Sequence, residues 1–225
     1  MIDLKDMTIA EIVTEDISKA AVFKKYHLDF CCGGGTTIEN ACKKANIRLD
    51  DVLTDLLYDS SKNVAHNLDF KQWNAGFLAD YIVNVHHSYV TENIEIINEF
   101  AHKVAHVHGS HAPETFEIAD IFSKLSRELV THMFKEENLL FPAIKAKIED
   151  PNFQYDQEVI EILKDEHETA GDFAKKIQQL SNNFTPPEWA CNTYKALYHK
   201  LNEFINDLYQ HIHLENNILF HKIRN

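Results

Sequence analysis

From about residue 74 onward, apolar positions recur every three or four residues in four long runs. That spacing belongs to amphipathic helices, each with one apolar stripe that must be buried. The first run covers about 74–108, through Leu78, Val83, His87, Val90, Ile94, Ile97, Ala101 and Val104. The second covers about 115–148, through Ile121, Leu125, Leu129, His132, Glu136, Leu139 and Ala143. The third covers about 156–181, through Ile160, Leu163, His167, Ala170, Ala174 and Ile177. The fourth covers about 188–222, through Leu201, Phe204, Leu208, His211, Glu215 and Ile218. The joins at 109–114, 150–152 and 182–187 carry Gly, Pro or Asn, which punctuate helices. Long helices with short joins predict an antiparallel up-down four-helix bundle.

The first 60 residues hold shorter patterns. One helix is expected from Ile17 to Tyr26, one capped by Thr36 or Thr37 and running to Ala45, and one from about Asp50 to Tyr58. Cys31-Cys32-Gly33-Gly34-Gly35 breaks the chain between the first two, and the polar stretch around 59–69 reads as a linker. The expected chain is therefore all-α: a small N-terminal helical domain over 1–60, a linker over 61–73 and the bundle over 74–225.

Six polar residues fall on the apolar stripes. Residues 132–144 and 211–223 both read H-x-x-x-E-x-N-x-L-F-x-x-I, at an offset of 211 − 132 = 79. His87 and His167 repeat at nearly the same distance, 167 − 87 = 80. Residues i and i+4 share a helix face, so each copy aims an imidazole and a carboxylate at one point. The similar steps within the two halves put His87, His132, Glu136, His167, His211 and Glu215 at one height in the bundle. Four imidazoles and two carboxylates suit Fe, Zn, Cu or Ni, and two buried carboxylates need cations. Bridging by both Glu would give each of two ions about four protein ligands.

Single histidines on apolar faces are more often core residues, and other matches read that way. His199 and Glu203 have the i,i+4 spacing but lie 12 residues before His211, about 18 Å along the helix. His108 lies 108 − 87 = 21 residues beyond His87, about 31 Å of helix, and belongs to the bundle end. His86 points about 100° away from His87, although an exchange of the two stays open. Glu128 and Glu166 are candidate outer carboxylates that orient a ligand His or relay protons; the plain alternative is a solvated helix face.

Charge and cysteine usage narrow the classes. The net charge of −13 argues against nucleic acid and an anionic membrane surface. No signal segment and no apolar run near 18 residues is seen, so a cytoplasmic protein is expected. Of four cysteines, Cys31 and Cys32 are adjacent, and a bridge between neighbours would be strained. Their Gly-rich turn would expose both thiols, with a nearby helix N-terminus lowering a thiol pKa. The bland alternative is a small-residue turn with half-buried thiols. Cys42 and Cys191 read as filler within helical patterns.

His132-x-x-x-Glu136-Glu137 with Leu140-Phe141-Pro142, His87, His167 and His211-x-x-x-Glu215 resembles a hemerythrin-type bundle. Asp29-Phe30-Cys31-Cys32-Gly33-Gly34 and Glu166-His167-Glu168-x-Ala170-Gly171 resemble the repair-of-iron-centres family of the YtfE/ScdA/DnrN type. The resemblance covers nearly the whole chain. It implies two iron ions, oxo- or hydroxo-bridged, held by the six residues above with Glu136 and Glu215 bridging. It further implies repair of iron-sulfur clusters and iron centres damaged by nitric oxide or oxidants, with iron-sulfur proteins as clients and NO or O2 as small ligands. Cys31 and Cys32 would then serve as reductant, transient iron ligand or partner contact, within one chain or across a homodimer. His221, where the family often has Pro, and the extra Gly35 are departures that leave the site intact. The alternatives are an enzyme reducing NO to N2O, or an O2/NO carrier or sensor. Carriers use a fifth His, which has no well-placed counterpart here. A ferritin-like oxidase fits less well, since those sites use E-x-x-H order.

Overall fold

A computed structural model describes residues 4–60 and 68–223. Those residues form helices and turns, with one isolated bridge between Thr8 and Thr37. The chain divides into two compact units, Met1–Leu78 with Ile212–Asn225, and Ala79–His211. None of the described helices is long and apolar enough to cross a membrane.

The N-terminal helices are α1 (Ile9–Glu15), α2 (Ala20–Lys25), α3 (Ile38–Ala45) and α4 (Leu49–Ser60). The sequence reading starts the first helix at Ile17 and overlooks α1. Its start is a capping box: Thr8 Oγ1 accepts the Glu11 N–H, and the Glu11 carboxylate accepts the Thr8 N–H at 2.8 Å. Asp16 then adopts extended backbone and caps a short 3-10 turn, Ile17–Lys19, through Ser18 N–H. Thr37, not Thr36, caps α3, and Asn46 ends it in the left-handed region at φ 56°. Ile9, Phe23, Ile38, Cys42, Val52 and Leu56 fill the core of this unit. Residues 61–67 of the expected 61–73 linker lie outside the described residues, and Phe70–Gln72 form a 3-10 turn.

Four helical rods follow the four hydrophobic runs. The first comprises α5 (Ala75–Tyr81), a π-turn at Ile82–His87 and α6 (Ser88–His108). The second comprises α7 (Glu114–Lys135), a π-turn at Glu136–Leu140 and α8 (Phe141–Glu149). The third is α9 (Glu158–Leu180). The fourth comprises α10 (Asn192–Leu214), a π-turn at Glu215–Leu219 and α11 (Phe220–Ile223). It starts four residues later than the pattern suggests, because Ala190 N–H closes a turn onto Pro187 O before α10 begins.

Pairings within Ala79–His211 run antiparallel. As numbers rise along the first rod they fall along the second: His87 meets Glu137, Asn98 meets Ser126 and His102 meets Ser123. Between α6 and α10, Tyr89 meets Phe204 and Asn93 meets Lys200. Phe122 and Phe204, both fully buried, pack edge to face at 5.2 Å in the core. Truncating such a side chain removes its transfer free energy and leaves a cavity. Phe122→Ala is therefore expected to lower the unfolding free energy by about 3–5 kcal/mol, read from the shift of the denaturant midpoint.

Candidate metal centre

Three of the four described rods widen into a π-turn, and each widening carries one of the six stripe residues. The π hydrogen bonds run from Ser88 N–H to Val83 O, Phe141 N–H to Glu136 O and Phe220 N–H to Glu215 O. Glu136 N–H still bonds His132 O, so His132 and Glu136 keep α-helical i,i+4 spacing. Beyond Glu136 the extra residue shifts the phase of the stripe. Leu140 and Ile144 are buried, whereas Leu139 is 57% exposed. The sequence reading placed Leu139 and Ala143 inward, which an unbroken 3.6-residue period requires; the π-turn moves both by one residue. Such turns frequently mark functional sites.

The structure gathers all six stripe residues in two overlapping groups. His87, Glu136, His211 and Glu215 form one; His132, Glu136, His167 and Glu215 form the other. Within each, the donor atoms all lie within 4.8 Å of one another. His211 and Glu215 are one turn apart on a single continuous helical run. Glu136 and Glu215 are fully buried, and the four imidazoles nearly so. Nε2 of His87 and of His132 lie 3.2 and 3.4 Å from Glu136 Oε2. Nε2 of His167 faces Nε2 of His132 at 3.0 Å, and Nε2 of His87 faces that of His211 at 3.2 Å.

Outer carboxylates fix the rings. Glu166 Oε2 takes His132 Nδ1 at 2.9 Å, and Glu137 Oε1 takes His87 Nδ1 at 2.7 Å. With Nδ1–H donated outward, each Nε2 turns a lone pair inward. The His132 ring, and then the Lys135 ammonium paired with it, hold the Glu166 carboxyl down at about 2 against the opposing effect of burial. Glu166 is thus an ionised acceptor at neutral pH. Inward lone pairs in close opposition, beside two buried carboxylates, form a donor set complementary to cations. The residues present fit a pair of transition-metal ions.

The remaining candidates separate cleanly. His86 is buried, but its Nδ1–H donates to Asp207 Oδ1 (2.9 Å) and its ring stacks on His211 with centroids 5.5 Å apart, so His87 stands in the cluster. Glu128 is exposed, and the carboxylate that reaches His132 is Glu166. His199 and Glu203 form an exposed pair at 3.3 Å. Glu137 and Lys135 were overlooked in the sequence. Their only signal was position: Glu137 follows Glu136, and Lys135 precedes it.

The Cys31-Cys32 turn differs from expectation. Cys31 is buried and Cys32 half-buried. Cys31 donates its backbone N–H and its thiol to Asp29 Oδ1 at 3.0 and 3.2 Å, and the two sulfurs are 3.8 Å apart. The Cys32 contact, burial and the Asp29 charge push the Cys31 thiol well above its ordinary range, opposite to activation by a helix end. Gly34 is required here: a Cβ would stand 2.6 Å from Phe30 O and 2.9 Å from Ala10 Cβ. The turn is bonded to the helical run of Glu215. His213 Nδ1 meets Phe30 O at 3.1 Å, and Asn217 Nδ2 donates to Cys31 O at 3.2 Å. Burial lowers His213 to about 4, so it is neutral at pH 7. Asn138, the counterpart of Asn217 in the other repeat, instead donates to Phe134 O on its own rod.

Buried His and Glu on facing, π-widened helices define a metal-binding helical bundle. Residues 78–223 match the hemerythrin HHE cation binding domain, and residues 5–59 match the ScdA_N domain, a domain of unknown function (DUF542). The chain is 35% identical over 220 residues to a probable iron-sulfur cluster repair protein of Haemophilus influenzae, covering 96% of each chain. It is 35% identical to the iron-sulfur cluster repair protein YtfE of Pectobacterium atrosepticum, covering 96% of each, and 30% identical to ScdA of Staphylococcus haemolyticus, covering 95% of this chain and 96% of that one. The chain belongs to the repair-of-iron-centres family, in which an ScdA-type domain precedes a hemerythrin-like domain.

Losing a carboxylate that orients a ligand His typically weakens metal binding. Glu166→Gln is expected to lower affinity for Fe2+ about 10–100-fold, measured by competition with a chelator. Glu128→Gln should leave it unchanged.

Proposed function

We propose that this chain repairs iron-sulfur clusters and other iron centres damaged by nitrosative or oxidative stress, using a labile pair of iron ions. The observation that carries the reading is the convergence of four imidazoles and two fully buried carboxylates in overlapping groups. Similarity over nearly the full length to proteins named for iron-sulfur cluster repair supports the task.

The roles follow from the grouping. His87 and His211 would hold one ion and His132 and His167 the other, with Glu136 and Glu215, common to both groups, available to both. Bound there, paired iron supplies exchangeable metal, redox equivalents and open positions for a diatomic such as NO or O2. Imidazole and carboxylate donors bind iron without the thiolates that would favour softer metals. Glu137 and Glu166 hold the His87 and His132 rings in one tautomer, and the His132 ring, then Lys135, keep the Glu166 carboxyl low. Cys31, held as a protonated thiol, anchors its turn, and Cys32 is the more accessible thiol for a reductant or an iron-sulfur client.

Elemental analysis of anaerobically purified protein should give close to two irons per chain, lost in both His132→Ala and Glu215→Ala. The iron-loaded protein should restore an NO-damaged iron-sulfur enzyme, and the stripped protein should not. Equal repair by stripped protein would sink the iron-supply reading, and a single metal or zinc would sink the di-iron assignment.

A further inference from the structure

A second group of donor side chains gathers within the Ala79–His211 unit, 21 residues along the helix from His87. His108, the last residue of α6, aims Nε2 at the Cys191 sulfur at 3.3 Å. Two aromatic rings hold the imidazole in place: Trp189 and fully buried Tyr194, each with its centroid 5.6 Å away. Cys191 is fixed as well, because its carbonyl accepts the Lys195 N–H and opens the first turn of α10. Three residues past His108, His111 lines a cavity of about 350 Å³ together with His108 and Trp189. His111 is positioned by its backbone N–H on His108 O and by its Nδ1 on Ser110 Oγ, both at 2.9 Å.

We propose that Cys191, His108 and His111 form a second metal site, for a borderline-soft cation of the Zn2+ class, with water as the remaining ligand. One thiolate with two imidazoles suits such cations. At the usual zinc–sulfur and zinc–nitrogen bond lengths, two ligands on a tetrahedral angle stand about 3.6 Å apart. The 3.3 Å separation of Sγ and Nε2 needs only a few tenths of adjustment to admit the ion. His111 Nδ1 pairs with Ser110 Oγ at 2.9 Å, and a rotation of the side chain would turn a ring nitrogen into the cavity that His111 already lines. Cys191 is exposed, so the ion enters without opening the fold. The competing reading is a thiol–imidazole hydrogen bond alone, which gives His111 no part.

The site shares no residue with the iron cluster, so it stands or falls independently of the proposed repair function. The test uses full-length, iron-loaded protein titrated with Co2+, which reports thiolate ligation through a near-ultraviolet charge-transfer band. One Co2+ per chain should bind with that band. Cys191→Ser should abolish the band, and His111→Ala should weaken binding by about tenfold or more. The iron absorption should stay constant throughout. In a Trp73→Phe background, where Trp189 is the remaining tryptophan, Co2+ should quench the indole emission over the same concentration range. No band in the parent protein, or a band that survives Cys191→Ser, overturns the site. Unchanged affinity in His111→Ala also overturns it and leaves the hydrogen-bonded pair.

Discussion

Two carboxylates buried to zero exposure at the centre of an apolar bundle are the constraint on which the rest depends. Left alone, each would cost several kcal/mol in lost hydration, or would take up a proton. The surroundings answer that cost in layers. Four imidazoles ring the carboxylates, outer carboxylates orient two of those imidazoles, and a lysine holds one outer carboxylate in its charged form. Both outer carboxylates are more exposed than the imidazoles they orient. Neutral imidazoles therefore separate the two buried carboxylates from the outer ones, and the central pair is left as the place where a cation would be accommodated.

The backbone adapts to the same demand. In an unbroken α-helix the stripe that carries His132 and Glu136 would continue through Leu139 and Ala143. The π-turns that begin at Glu136 and Glu215 each insert one residue and shift that phase, and Phe141 and Phe220 stand in the core. Neither turn has a Gly or Pro at its start to announce it. The third rod, which contributes His167, stays α-helical from Glu158 to Leu180, whereas the first, which contributes His87, carries a π-turn at Ile82–His87.

That difference explains what was legible in the sequence. Rod limits, antiparallel order and the six stripe residues follow from periodicity and from the internal repeat, because burial and ligand spacing are both written at i,i+4. Phase errors such as Leu139 were invisible, since a π-turn depends on backbone hydrogen bonds that side-chain pattern does not record. Outer partners were only half visible: Glu166 was found by adjacency to His167, yet it serves His132 across the α7–α9 contact, and Glu137 required the register of two rods. The Cys31 thiol lies nearer the half-buried alternative than the exposed one, because it turns onto Asp29 and Cys32 within its own turn. Helix α1 was missed although Thr8-Ile-Ala-Glu11 spells its capping box.

The bonds from His213 and Asn217 to the Phe30-Cys31 turn have a consequence for how the chain is made. They join residues separated by more than 180 positions, so the first compact unit is built from two segments far apart in the chain. Its closing contacts have high sequence separation and cannot form until the segment bearing Glu215 has been synthesised. The middle of the chain, from Ala79 to His211, can organise first, while the amino-terminal helices wait for the strand of sequence that bears Glu215. Assembly order thus makes the last ligand to be synthesised also the one whose arrival completes the amino-terminal unit.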